Sequence, residues 1–258
     1  MAFLVSCEHG SNEVPPWLAD CLSSPSSTAP ANEDGLVNVG EDYDLGALDA
    51  AKVFAKHLRC PLVAAKYSPQ IVDVNRSIRR PGVFSPVTRH LPKPVRDRIV
   101  REIHEPYRRE VESTVARLMR KDDLVIHLSV HSFATFESTQ VTPEGEDRAL
   151  SARRTDLGLL YDPAREYELA LCLDWYDDLY YSLPMLRVRR NYPRRGISES
   201  LIRSLRQIYT PDCYLGIELQ LNRAWCVRDV PVRKKVLSGI AKSLLRLCDL
   251  TKQEQEAA

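Results

Sequence analysis

Short apolar runs rich in β-branched residues alternate along the chain with longer segments whose apolar positions recur at helical spacing. The runs predict strands at Phe3–Cys7, Leu62–Lys66, Ile71–Val74, Leu124–Val130, Leu157–Tyr161, Met185–Arg189 and Leu215–Leu221. The longer segments predict helices near Tyr43–Leu58, Pro94–Met119, Glu166–Tyr181, Ser198–Ile208 and Pro231–Cys248. Crossover helices packed on a mainly parallel sheet produce this alternation, so the fold class is α/β. Leu22–Gly35 and Ser138–Arg148 are polar and rich in turn formers, and are expected to be exposed loops, either of which could act as a lid. No linker or internal repeat interrupts the pattern. Residues 1–250 are therefore expected to form one domain, with 251–258 as a polar tail.

Composition narrows the function classes. The 258 residues are 44% hydrophobic and carry a formal net charge of +1, so the chain has the means to bury a large core but has no overall field for nucleic acid or an anionic membrane. Seven scattered cysteines without a C-x-x-C pair argue against both a disulfide framework and a cysteine zinc site, and fit a reducing cytoplasm. The apolar start, Met1–Cys7, meets Glu8 and His9 too soon for a signal segment and reads as a buried first strand. Whether the chain forms a homo-oligomer stays open.

In open α/β sheets, functional groups collect past the carboxyl ends of strands. His9 and His131 directly follow apolar strands, where neutral imidazoles could share a zinc ion or serve as hydrogen-bonded structural residues. His127, four residues earlier, is expected to point away or pack internally. Arg76 and Arg195 sit where a guanidinium could grip a substrate carboxylate or pair with a local acid. Glu218 interrupts the apolar strand Leu215–Leu221 and reads either as a general acid/base tuned by a metal or as an ion-pair partner of Arg223.

Together, Ser6-Cys7-Glu8-His9-Gly10-Ser11-Asn12-Glu13, Asp44-Leu45-Gly46-Ala47, Asp73-Val74-Asn75-Arg76, His131-Ser132-Phe133, Asn191-Tyr192-Pro193 with Arg195-Gly196, and Glu218-x-x-x-Asn222-Arg223 resemble, in order, the motifs of the N-formylglutamate amidohydrolase family. That family is similar to zinc carboxypeptidases and aspartoacylases, which implies a single domain with a mixed, mainly parallel sheet flanked by helices (zinc-carboxypeptidase-like, phosphorylase/hydrolase-like). The resemblance implies one zinc on His9, His131 and a carboxylate, with Glu218 as general acid/base. It also implies Asn75 and Arg76 on the substrate carboxylate or scissile carbonyl, with Asn191, Arg195, Asn222 and Arg223 as further substrate contacts. Where the carboxypeptidase pattern has His-x-x-Glu, this chain has Asn12, so Asp44 is taken as the third ligand, with Glu13, Glu8 and Asn12 as alternatives. Arg194 replaces the family's usual tyrosine. The expected activity is hydrolysis of a small carboxylate-bearing N-acyl amino acid such as N-formylglutamate. The alternatives are a carboxypeptidase-like or deacylating metallohydrolase acting on a peptide or other amide, an inactive binder of an acidic ligand, and a thiol hydrolase built on Cys7.

Overall fold

A computed structural model describes residues 1–22, 43–134, 155–226 and 229–257. Six strands form one sheet: β1 (Ala2–Cys7), β2 (Leu62–Ala64), β3 (Val125–Phe133), β4 (Leu157–Leu160), β5 (Val188–Arg190) and β6 (Tyr214–Asn222), in the order β2-β1-β3-β6-β4-β5. The pairs β2/β1, β1/β3 and β3/β6 are parallel, whereas β4 runs antiparallel to β6 and carries the parallel β5 beside it. The sheet is therefore mixed and mainly parallel in a single α/β domain.

Between these strands lie α1 (Pro16–Leu22), α2 (Ala47–Leu58), α3 (Lys93–Ile99), α4 (Glu105–Met119), α5 (Glu166–Ser182) and α6 (Leu201–Arg206), and after β6 come α7 (Arg223–Cys226) and α8 (Val230–Ala257). A π turn, Val100–His104, joins α3 to α4. Pro106 explains it: proline lacks an N–H and crowds the carbonyl of the preceding turn, so the backbone widens there and the Glu105 N–H bonds Val100 O.

Sequence and structure differ in instructive places. Ile71–Val74 is not a strand. Its β-branched residues are buried, but the segment turns, with Ile71 N bonded to Ser68 O and Arg76 N to Asp73 O, because Asp73 and Asn75 offer local partners that compete with a ladder. β3 and β6 continue further than expected, so His131-Ser132-Phe133 and Asn222 lie within strands. The short α1 and α7 are too brief for periodicity to reveal. The last helix continues beyond residue 250. Leu22 closes α1, and the rest of the expected loop to Gly35, like that at Ser138–Arg148, falls outside the described residues.

The two sheet faces pack differently. On one, Val5, Leu128, Val130, Ile217, Leu219 and Leu159 meet α2, α5 and α8 through residues such as Phe54, Trp175 and Ile240. On the other, Leu4, Val125 and Tyr214 pack with Ile71, Ile99, Val111 and Leu201, while residues further along β1, β3 and β6 on that face are polar. Ser6, His127, Ser129, His131, Glu218, Gln220 and Asn222 are all buried there. A strand alternates its side chains between faces, so this polar row follows directly from the sequences Ile126-His127-Leu128-Ser129-Val130-His131 and Ile217-Glu218-Leu219-Gln220-Leu221-Asn222.

Candidate metal centre and its cleft

His9 leaves the end of β1, and His131 rises from β3 beside it, their ring centroids 5.0 Å apart. Asp44 is brought to both by backbone bonds: its N–H donates to His9 O at 2.8 Å, and its carbonyl accepts from Ala47 N as α2 begins. Donor atoms of His9, Asp44 and His131 all lie within 4.8 Å of one another. Asp44 Oδ2 stands 2.7 Å from His131 Nδ1 and 3.7 Å from His9 Nδ1, so both imidazoles turn the same nitrogen toward one carboxylate.

Their outer nitrogens are braced. His9 Nε2 bonds Asp73 Oδ1 at 2.7 Å, and Asp73 is held in turn by Asn75 N and Arg76 Nε. His131 Nε2 lies 3.3 Å from Glu8 Oε2 and 3.0 Å from Ser129 Oγ. Ser129 and Tyr107 hydroxyls donate to Glu8, which is fully buried. A carboxylate behind each imidazole fixes its orientation and raises its basicity, the usual support for a metal-ligating histidine. Glu8 thus stands behind His131, on the side away from Asp44; Asn12 and Glu13 are exposed and outside the cluster.

Charge in the cluster follows from these contacts. Burial alone would raise Asp44 and Glu8, but hydrogen bonds from the histidines (for Glu8 also from serines) outweigh it and hold both carboxyls far below their ordinary range. Burial would lower His131, yet hydrogen bonds to Asp44 and Glu8 lift it to about 9. The donor set of two imidazoles and a carboxylate, crowded with negative charge, suits a divalent cation in place of those protons.

A cleft of about 220 Å³ opens over the cluster, lined by Asp73, Asn75, Arg76, Ser132, Arg194, Glu199 and Gln220 besides the three candidate ligands. Asn75 Oδ1 accepts from Leu201 N at 2.7 Å and its Nδ2 approaches His131 Nε2 at 3.4 Å. Behind it, Arg108 bonds Val74 O and Asn75 O, and His104, from the π turn, bonds Arg76 O. Glu218 is buried one strand from Ser129, its Oε2 paired with Arg194 Nη2 and its Oε1 without a hydrogen-bond partner.

The chain belongs to the N-formylglutamate amidohydrolase family. The model of that family matches residues 1–196, a span that includes His9, Asp44, Asp73–Arg76 and His131 and ends before β6 with Glu218. Two solved structures share the fold. A gene product of Agrobacterium tumefaciens is 19% identical with a TM-score of 0.66, over 95% of this chain and 91% of that one. The N-formylglutamate amidohydrolase of Ralstonia eutropha is 14% identical with a TM-score of 0.61, over 98% and 94%. Among curated proteins none matches.

Several residues matching family motifs build the frame and lie outside the cleft lining. Asn191, at a left-handed φ of 51°, accepts from Tyr161 N and Gly196 N through Oδ1. Gly196 must be glycine, because a Cβ there would stand 2.3 Å from Tyr161 backbone atoms. Asn222 bonds Thr155 O and caps Ala224 N. Arg223 bonds Tyr43 O at 2.7 Å and reaches to 4.0 Å from Asp44, not to Glu218. Arg195 is exposed, and its neighbour Arg194 takes the place over the cleft. His127 shares the face of His131 and packs internally, bridging Ser6 Oγ and Tyr214 OH. Cys7 is buried with its thiol pushed up by burial, then by Glu8 and Asp44, which disfavours a thiolate nucleophile. Sequence reading missed the roles of Asp73, Ser129, Gln220 and Glu199. Only the alternation in β3 and β6 signals Ser129 and Gln220.

Proposed function

We propose that this chain is a metal-dependent amidohydrolase that cleaves the amide bond of a small N-acyl amino acid, with N-formylglutamate as the leading substrate. The observation that carries it is the convergence of His9 Nδ1, His131 Nδ1 and the Asp44 carboxylate beneath a polar cleft, each imidazole braced by a further carboxylate. Two imidazoles and a carboxylate suit zinc. When bound, zinc supplies a Lewis acid that polarises the scissile carbonyl and lowers the pKa of water toward ~7.

The chain's own groups do the rest. His9, His131 and Asp44 hold the ion, while Asp73 and Glu8 keep the imidazoles oriented. Glu218 takes the proton of the attacking water on a carboxylate oxygen and gives it to the departing amine. Arg76, nearly half exposed at the cleft, faces the negative charge that develops on the carbonyl oxygen, and Asn75 aligns that oxygen. Asn191, Asn222 and Arg223 act as positioning residues for the loop after β5 and for Asp44.

The test is metal content by elemental mass spectrometry together with formate release from N-formyl-L-glutamate. Near-stoichiometric zinc, lost in His9→Ala and His131→Ala along with activity, is the expected result. A wild-type protein that takes up no metal after reconstitution, or that carries zinc and cleaves no N-acyl amino acid, overturns the reading.

A further inference from the structure

Two arginines line the cleft, and their engagements differ. Arg76 is tied to Asp73 at 2.8 Å, an acid already shared with His9. Arg194 holds Glu218 through a single nitrogen, and its other terminal nitrogen makes only a long 3.4 Å bond to Glu199 O. The pair is lopsided. Arg194 is one-third exposed to the cleft, whereas Glu218 is 1% exposed with Oε1 unpartnered. A guanidinium grips a carboxylate best through two parallel bonds, and here one tine of the fork has only a weak partner. A second carboxylate entering the cleft meets a charged fork already facing it.

We propose that Arg194 is the specificity-determining receptor for the substrate's carboxylate, and that it binds that group by letting go of Glu218. The acid–base group is then released only when an acidic substrate is seated, so a neutral amide leaves Glu218 latched. The identity of the ligand rests on the amidohydrolase reading; the exchange of partners rests on the geometry alone.

The test is calorimetric titration of the purified full chain with glutarate, a dicarboxylate with no amide to cleave. Arg194→Met should weaken binding by about tenfold or more, the order expected for one charged hydrogen-bonded contact. Because Glu218 competes for Arg194, Glu218→Gln should bind glutarate more tightly than wild type. The double variant decides the cause. If the gain runs through Arg194, it disappears in Arg194→Met/Glu218→Gln; if it persists there, general electrostatics explains it and the proposal falls. Unchanged affinity in Arg194→Met also overturns it. Should Arg194→Met not fold, the tightening in Glu218→Gln and its reversal by Arg194→Lys/Glu218→Gln carry the test. Glutarate binding in this pattern without formate release from N-formylglutamate would end the hydrolase reading and leave the receptor standing; turnover indifferent to Arg194 would do the reverse.

Discussion

The same three strands, β1, β3 and β6, present two unlike faces. Toward α2, α5 and α8 they offer Val5, Leu128, Val130, Ile217 and Leu219, all fully buried and apolar. Toward α4 and α6 they offer Ser6, His127, Ser129, His131, Glu218 and Gln220, equally buried and polar. Apolar burial contributes roughly 1.5–3 kcal/mol per large side chain, whereas a buried hydrogen bond contributes only about 0.5–1.5 kcal/mol net and a buried polar atom left without a partner costs about 1–3 kcal/mol. The apolar face, together with the apolar cluster around Leu4, Val125 and Tyr214 at the start of the same strands, therefore carries the stability that lets the polar row hold charges in fixed positions. Glu218 Oε1 and Ser132 Oγ, buried without partners near the cleft, mark where that support is being used.

Breaking each face separately should give opposite signatures. The largest effect is expected from Glu218→Gln, which should lower kcat/KM for an N-acyl amino acid by about 10²–10⁴-fold while zinc content and unfolding free energy stay near wild type. Steady-state kinetics beside elemental analysis checks it, and a lost metal would place Glu218 among the ligands instead. On the apolar face, Ile217→Ala should cost about 3 kcal/mol of stability in urea titration and leave the zinc stoichiometry of the folded protein unchanged.

His127 sharpens the contrast, since it is a titratable group on the polar face that takes no part in the cluster of ligands. Burial pushes its pKa down to about 4, well below the ordinary histidine value. The unfolded chain thus takes up a proton first as the pH falls through about 6.5, so stability is full above that pH and declines toward pH 4 by about 3 kcal/mol. Urea unfolding of wild type and His127→Gln at about pH 7.5 and 4.5 isolates this share; an equal acid loss in both proteins would show that His127 is not the cause. The smallest effect tests the bracing. Asp73→Asn removes the charge behind His9 and should weaken zinc about 10–100-fold, measured by competition with a chelator, with little change in stability.

How much of this was legible differs by element. The apolar runs found β1, β3 and β6, whose apolar positions stand out although polar residues alternate with them in β3 and β6, and helical spacing found α2 and α5. The same logic failed at Ile71–Val74, because a short buried run reads alike whether it enters a ladder or lines a turn. At the site, motif order pointed to His9, Asp44 and His131, which the fold brings together. It pointed equally to Arg195, Asn191 and Asn222, of which one is exposed and two hold backbone. Motif membership says that a position matters without saying whether its side chain faces a ligand or the neighbouring chain.

Local pattern alone indicated the α/β class and the polar positions of the long strands, because side-chain alternation is a property of neighbouring residues, whereas the choice of Asp44 among the candidate carboxylates came from motif resemblance. Three-dimensional packing alone decided that Asp73 would stand behind His9 and Glu8 behind His131, across 64 and 123 residues of chain. It likewise chose Arg194 over Arg195 for the cleft. Such pairings depend on strand order, loop path and burial, and a hydrogen bond between distant residues leaves no periodic trace in the chain that makes it.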